Sequence, residues 1–336
     1  MITAKAFAGK HYAVYGLARS GLATVEALLA SGAKVTAWDS KEEARAALKS
    51  SSSLLGEDLV IADLDTADLT QFDSLVVTPG LPLNRHPIAQ RARDAGVEII
   101  GDIELFARAR SELPPHKVVG ITGTNGKSTT TALVHHILKT AGVPTTMGGN
   151  IGLPILAQDP LPEGGVYVLE LSSYQIDLTQ SLDCDVAVLL NITPDHLDRY
   201  ASFQAYAASK VRLFEMQSPD SVFVINPALL FRDLSPLKRE IERRGRNPTW
   251  SAWEKEWPAL KGPHNVENAQ AAIAVGHALG VDGDRIFEGL RTYPGLPHRM
   301  ERVREKDGVL FVNDSKATNP TATAPALAAF DKIRWI

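Results

Sequence analysis

Apolar residues come in short continuous runs separated by stretches where they recur every three to four positions, and the two patterns alternate from the start of the chain. His11–Tyr15, Lys34–Trp38, Leu59–Ile61 and Leu75–Val77 read as strands, with Leu22–Ala30 and Ile88–Ala95 as helices between them. Alternation of this kind predicts a parallel sheet covered by helices. Pro114-Pro115 cannot continue a helix, and a fresh strand, Lys117–Ile121, follows at once, which puts a domain boundary near residue 110. The second unit repeats the theme. It has a helix at Ser128–Ala141, strands at Val166–Leu171, Val186–Leu190 and Val222–Ile225, and helices at Phe203–Phe214 and Asn265–Leu279. After Tyr293-Pro294-Gly295 come two strands, Glu301–Arg304 and Val309–Val312, turned at Lys306-Asp307-Gly308, then a helical stretch, Ala322–Phe330, and the start of a strand at Ile333. The pattern divides the chain into residues 1–110, 111–295 and 296–336. Segments of only about 40 residues seldom fold without staples, so the third unit reads as a domain cut short.

Composition narrows the class. The 336 residues are 44% hydrophobic and 22% charged, with a net charge of −4, so no basic excess supports binding to nucleic acid. Cys184 is the single cysteine, which excludes an internal disulfide and a cysteine-rich zinc site and suits a reducing compartment. Met1–Lys10 lacks the apolar core of a signal peptide, and no run approaches the ~20 apolar residues of a membrane span. A soluble cytoplasmic protein without nucleic-acid or membrane partners is expected. Ser50–Ser53 reads as a loop, and Trp250, Trp253 and Trp257, at helical spacing, read as packing residues rather than a base-stacking platform.

Two glycine-rich turns carry candidate chemistry. Gly16-Leu17-Ala18-Arg19-Ser20-Gly21 follows a strand and opens a helix, and Asp39 ends the next strand, nearly a dinucleotide fingerprint. Ala18 replaces the glycine that lets backbone approach a pyrophosphate, so the turn is either a ligand-free corner or an anion site for a nucleotide diphosphate other than NAD. Gly120-Ile121-Thr122-Gly123-Thr124-Asn125-Gly126-Lys127-Ser128-Thr129 also joins a strand to a helix. Its Gly-Lys-Ser core is that of a nucleoside-triphosphate site: backbone N–H groups wrap the phosphates, Lys127 faces the β/γ oxygens and the Ser128 hydroxyl reaches Mg²⁺.

From Gly123 to Ser128 the sequence resembles the Mur ligases, which use ATP to join an amino acid to a UDP-linked muramic acid. Glu170-Leu171-Ser172-Ser173-Tyr174-Gln175, the segment Asn191–Tyr200, Leu296-Pro297-His298-Arg299 and the segment Asn313–Asn319 look like the D-glutamate-adding branch of that family. The resemblance covers nearly the whole chain, with no motif placed in Pro227–Pro258. It implies an α/β fold with an N-terminal Rossmann-like domain for the UDP substrate, a central P-loop ATPase-like α/β domain and the beginning of a third Rossmann-like α/β domain. It also implies a monomer that binds ATP, UDP-N-acetylmuramoyl-L-alanine, D-glutamate and Mg²⁺ at two sites.

The family's residue roles transfer by position. Gly123, Thr124, Asn125, Gly126, Lys127, Ser128 and Thr129 would hold ATP, with Asn268, Arg299 and Asp314. Arg299 and Lys316 would stabilise transferred charge, beside Lys127. Ser128, Glu170 and His196 resemble magnesium ligands; the alternative for Glu170 is a strand-end ion pair, and a lone histidine such as His196 is otherwise more often a packing or surface residue. Lys210 matches a lysine carried as a CO₂-derived carbamate, which requires a neutral amine, whereas a helix lysine is ordinarily solvated. Leu17, Ala18, Arg19, Asp39 and Gly80 would face the UDP moiety, and Asn150, Ser172, His196, His298 and Thr318 the remaining substrate; Asn150 alone reads equally as a turn residue. The family's third domain continues past Asn319 and holds D-glutamate there, so this chain is expected to bind the UDP substrate and turn over poorly. The competing readings are a nucleotide-binding fragment without turnover and an NAD-dependent oxidoreductase built on the first turn.

Overall fold

The computed structural model describes residues 1–51, 56–231, 257, 259–317 and 320–336. Ser52, Ser53, Trp250, Trp253, Thr318, Asn319 and most of the stretch 227–258 lie outside the described residues. The first sheet takes β1 (His11–Tyr15), β2 (Lys34–Trp38), β3 (Leu59–Ile61), β4 (Ser74–Val77) and β5 (Glu98–Ile100), all parallel, in the order β3-β2-β1-β4-β5. Parallel neighbours need crossovers, which α1 (Arg19–Ala30), α2 (Glu42–Ser51) and α3 (Pro87–Asp94) supply, while α4 (Asp102–Ala109) leads out of the sheet. The winding reverses between β1 and β4, so the crevice at their carboxyl ends is the place where open α/β sheets take ligands.

The second sheet repeats the logic with β6 (His116–Thr122), β7 (Thr145–Gly149), β8 (Gly165–Glu170), β9 (Val186–Leu189) and β10 (Val222–Ile225), parallel in the order β10-β9-β6-β8-β7. β8 is buried at all six positions and β9 at all four, as expected of strands covered on both faces. The covering helices include α5 (Lys127–Thr140), α6 (Ser173–Asp177), α7 (Phe203–Glu215), α8 (Pro263–Ala278) and α9 (Gly283–Thr292). Trp257 packs in this core beside the alanine-rich face of α8.

The two layers share one core. Ile2, Phe7, Leu105 and Phe106 cluster with Ile155, Tyr167 and Leu182, and the Phe106 and Tyr167 rings meet edge to face at 5.1 Å. Polar clamps reinforce the seam. The buried Glu104 carboxylate accepts the N–H groups of Gln180 (2.7 Å) and Ser181 (2.9 Å), the Ser181 hydroxyl and the Arg108 guanidinium.

The remaining segment forms a hairpin, β11 (Glu301–Lys306) and β12 (Val309–Asn313), bulged between Arg302 and Arg304, and then α10 (Pro320–Leu327). Two expectations fail. Ser50 and Ser51 end α2 rather than lie in a loop. Residues 331–336 form no strand: none of them pairs with a strand among the described residues, and Trp335 is 74% exposed.

Candidate functional site

At the carboxyl end of β6 the chain turns through Gly123 and enters α5 at Lys127. Gly126 caps that helix with φ +84°, and a Cβ there would collide with the Asn268 side chain on α8. The turn is braced from outside: Asn191 Oδ1 accepts the N–H groups of Thr124 (3.1 Å) and Asn125 (2.8 Å), and Asn191 Nδ2 donates to Asn125 O. No side chain caps α5, so its first N–H groups remain available to an anion. Lys127 folds back onto its own turn, donating from Nζ to Gly123 O (3.0 Å) and Thr124 O (2.8 Å). Burial lowers its pKa while Glu170 pulls the other way, so the ammonium is under-compensated and suited to incoming phosphate oxygens.

A cleft of about 360 Å³ opens over this turn. Thr124, Asn125, Gly126, Lys127, Ser128 and Thr129 line its floor, with Asn150, Glu170 and His196 on one side. Asn268, Arg299, Asp314 and Lys316 complete it from α8 and the last segment. These residues, from seven separated stretches of the sequence, therefore meet. Arg299 reaches furthest, donating from Nη2 to Ser128 Oγ at 2.9 Å. Asp314 accepts the Met300 N–H at 3.0 Å, which ties the last segment to its own lead-in.

The donor set fits a hard divalent cation. Glu170 ends β8 and is 1% exposed; its Oε1 accepts from Asn150 Nδ2 at 2.8 Å, while its Oε2 is buried without a partner. A buried carboxylate oxygen left bare beside a serine hydroxyl and a phosphate loop is the arrangement Mg²⁺ completes, since that ion takes one or two protein oxygens and fills its shell with phosphate and water. Among the described residues no three His, Cys, Asp or Glu side chains cluster as an all-protein metal cage. His196 lines the cleft on a left-handed turn (φ +53°), with its Nε2 3.6 Å from Asp195.

Lys210 lies elsewhere than the cleft wall. It is 2% exposed on α7, donates to Gly123 O at 2.9 Å, and sits 4.8 Å over the Tyr206 ring. Burial, then the charge of Lys127, holds its amine well below the ordinary lysine range. The two lysines thus share one carbonyl. Ser172 also stands apart: its hydroxyl caps α6 in a reciprocal box with Gln175. His298, left-handed at φ +63°, lies outside the cleft beside Asn313 and Glu301. Thr318 is outside the described residues.

The first turn is built for close approach. A Cβ at Gly21 would strike the Gly16 carbonyl, so the helix packs directly on the turn. The Leu17 N–H is already spent on Asp39 Oδ2 (2.7 Å), whose other oxygen accepts from Lys41. Asp39 therefore shapes the turn, and the N–H groups facing outward are those of Ala18 and the first turn of α1, which no side chain caps. The Arg19 guanidinium points across the seam to Gly152 O (2.8 Å). Gly80 follows β4 and its carbonyl meets Arg199.

Several cleft residues escaped the sequence reading. Asn191 braces the turn over a separation of 66 residues, and His264 and Tyr293, each with a buried polar atom lacking a partner, line the far end. Only Asn191 carried a signal, since it opens the Asn191–Tyr200 motif.

Comparison with known proteins gives the arrangement a family. The Mur ligase middle domain profile matches residues 121–243, and the Mur ligase MurD-like N-terminal domain profile matches residues 10–101. The UDP-N-acetylmuramoylalanine–D-glutamate ligase of Novosphingobium aromaticivorans is 60% identical, over all of this chain and 75% of its own length. The enzyme of the same name from Sphingopyxis alaskensis is 59% identical, over all of this chain and 78% of its own length. Among solved structures, MurF from Acinetobacter baumannii superposes with a TM-score of 0.57 at 20% identity, over 96% of this chain and 68% of that one. MurC from Thermotoga maritima gives 0.56 at 21%, over 95% and 77%, so these two speak for the fold. With relatives this similar across its whole length and both family profiles in place, the chain belongs to the Mur ligase family.

Proposed function

We propose that this chain carries the ATP site and the UDP-substrate site for the ATP-dependent ligation of D-glutamate to UDP-N-acetylmuramoyl-L-alanine, in the cytoplasmic synthesis of peptidoglycan precursor. The observation that carries the proposal is the Arg299–Ser128 contact, which brings a cation of the last segment onto the phosphate turn beside Lys127. The substrate carboxylate attacks the γ-phosphorus of ATP, ADP leaves, and an acyl phosphate forms. The amine of D-glutamate then adds to the acyl carbon and inorganic phosphate departs with the carbonyl pair restored. Both steps gather negative charge among anions, so positioned cations rather than a protein nucleophile are required. Lys127 leaves its own carbonyls for the β/γ oxygens, the free N–H groups of α5 hold the phosphates, and Arg299 and Lys316 balance the charge as it moves. Asn268 and Asp314 would hold the nucleoside end.

Ser128 and Glu170 would hold one Mg²⁺; a second, held by His196 and a carbamate on Lys210, is drawn from the family resemblance. When bound, the metal neutralises the phosphate oxygens. The depressed Lys210 amine is competent for carbamate formation, in which CO₂ adds to neutral nitrogen and a proton is released. At the first sheet, the N–H groups of Ala18 and Arg19 would take the pyrophosphate of the UDP substrate, flanked by Leu17, Asp39 and Gly80. Asn150, Ser172, His298 and Thr318 remain substrate-side assignments drawn from the family resemblance alone.

Calorimetry tests the reading. UDP-N-acetylmuramoyl-L-alanine and an imido analogue of MgATP should each bind, NADH should not, and Glu170→Gln should remove most of the affinity that Mg²⁺ adds to triphosphate binding. NADH binding without the UDP ligand would return the oxidoreductase reading, against which Ala18 stands.

A further inference from the structure

The loop after β4 in the first layer and the loop that carries His196 in the second are stitched together, and one side chain sits at the centre of the stitching. Arg199 donates from Nη2 to Leu81 O at 2.8 Å and from Nη1 to Gly80 O at 3.4 Å. From the other direction, Asn84 Nδ2 and Arg85 Nη2 both donate to Asp198 O at 3.0 Å. The Arg199 backbone N–H closes the His196 turn by donating to His196 O at 2.9 Å. Its guanidinium lies 4.3 Å from the centre of the Tyr174 ring, and that ring is 5.2 Å from the imidazole of His196. The left-handed backbone of His196 is thus held by a residue whose other end grips the first layer.

The planar fork explains why arginine stands here. Two adjacent carbonyls and an aromatic face are satisfied at once by guanidinium, whereas an ammonium is a point donor with no stacking plane. The contacts are to main-chain atoms of Gly80 and Leu81, so they fix where that loop runs, and Gly80 stands in the loop assigned above to the UDP side. We propose that Arg199 is a positioning residue that couples the two ligand sites, holding the β4 loop and the His196 turn as one piece so that the UDP-linked carboxylate and the triphosphate are presented to each other. This rests on the function proposed above. A ligand that orders either loop lowers the ordering cost at the other, and the coupling is reciprocal.

The test measures the affinity of UDP-N-acetylmuramoyl-L-alanine with and without the imido analogue of MgATP. In the parent chain each ligand should tighten the other at least about 5-fold. In Arg199→Ala the separate affinities should change less than the coupling, which falls to near one, and Arg199→Lys should restore only part of it. Hydrogen exchange gives a readout independent of the UDP ligand: the triphosphate analogue alone should protect residues 80–85 in the parent and leave them unprotected in Arg199→Ala. Full coupling and full protection in a folded Arg199→Ala chain would overturn the proposal, as would their absence in the parent. Failure of the UDP ligand to bind at all would instead overturn the functional reading on which it rests.

Discussion

Asp102 offers a prediction whose size follows from its surroundings. It opens α4 fully buried, its Oδ1 accepts the Ile103 N–H, and its Oδ2 has no partner. The side chain borders a small cavity shared with Ser20, Gly21, Thr24 and Thr78, directly beneath the first glycine turn. Desolvation pushes its pKa up to about 6 from an ordinary 3.8, because no cation compensates the charge. A carboxylate whose folded pKa is raised opposes folding once ionised: the penalty is absent below pH 4, grows between pH 4 and 6 and is complete above that. A shift of about two units corresponds to roughly 3 kcal/mol at full ionisation. Over pH 5 to 8, where the protein is tractable, about 1 kcal/mol of that change should be visible. Asp102→Asn keeps the acceptor for Ile103 and removes the titration. Urea unfolding of both proteins at several pH values isolates the effect, since every other titrating group cancels in the difference. Relative to Asp102→Asn, the parent should lose about 1 kcal/mol between pH 5 and 8; parallel stability profiles would refute the reasoning.

Other consequences are simpler to state. Gly126→Ala forces a side chain into a left-handed cap against Asn268 and should cost about 1–3 kcal/mol of stability while weakening triphosphate binding, read by thermal unfolding and calorimetry. Glu104→Ala strips the seam of a carboxylate that accepts four hydrogen bonds and should destabilise by about 3 kcal/mol, with hydrogen exchange rising first at residues 178–182. In the folded chain Lys210 should take up ¹³C-labelled CO₂ as a carbamate and release it on unfolding in urea, where the loss of burial returns its amine to the ordinary lysine range; carbon NMR reads this, and no labelled carbamate in the folded chain would refute it.

The parallel strands and both glycine turns were legible because their causes are local: β-branched runs, a glycine where no Cβ fits, and a lysine set to meet phosphate. β5 and β7 were not. Glu98–Ile100 is only three residues long, and Thr145–Gly149 has two threonines and two glycines where an apolar run would have marked a buried strand. Long-range contacts were invisible for a different reason. Asn191 meets the phosphate turn across 66 residues and Arg199 meets Leu81 across 118, and no periodicity in a chain encodes which distant carbonyl a side chain will find. Asp39 adds a contact of the same kind: its position after β2 suited the dinucleotide-like pattern, and its carboxylate accepts from the N–H groups of Leu17 and Lys41, which position alone does not reveal. Asp102 carries no mark in the sequence, and only its tertiary burial beside α1 raises its pKa.

Acyl-phosphate formation tests the central claim most directly, because it requires the UDP-linked carboxylate and the triphosphate to meet in one protein and does not involve D-glutamate. The measurement is single-turnover ADP formation from ATP with UDP-N-acetylmuramoyl-L-alanine, Mg²⁺ and bicarbonate, with hydroxylamine present to capture the activated acyl group as a hydroxamate. The account predicts ADP and hydroxamate in equal amounts, both dependent on the UDP substrate and both lost in Glu170→Gln. ADP formed without the UDP substrate, or no ADP when both ligands are bound, would contradict it.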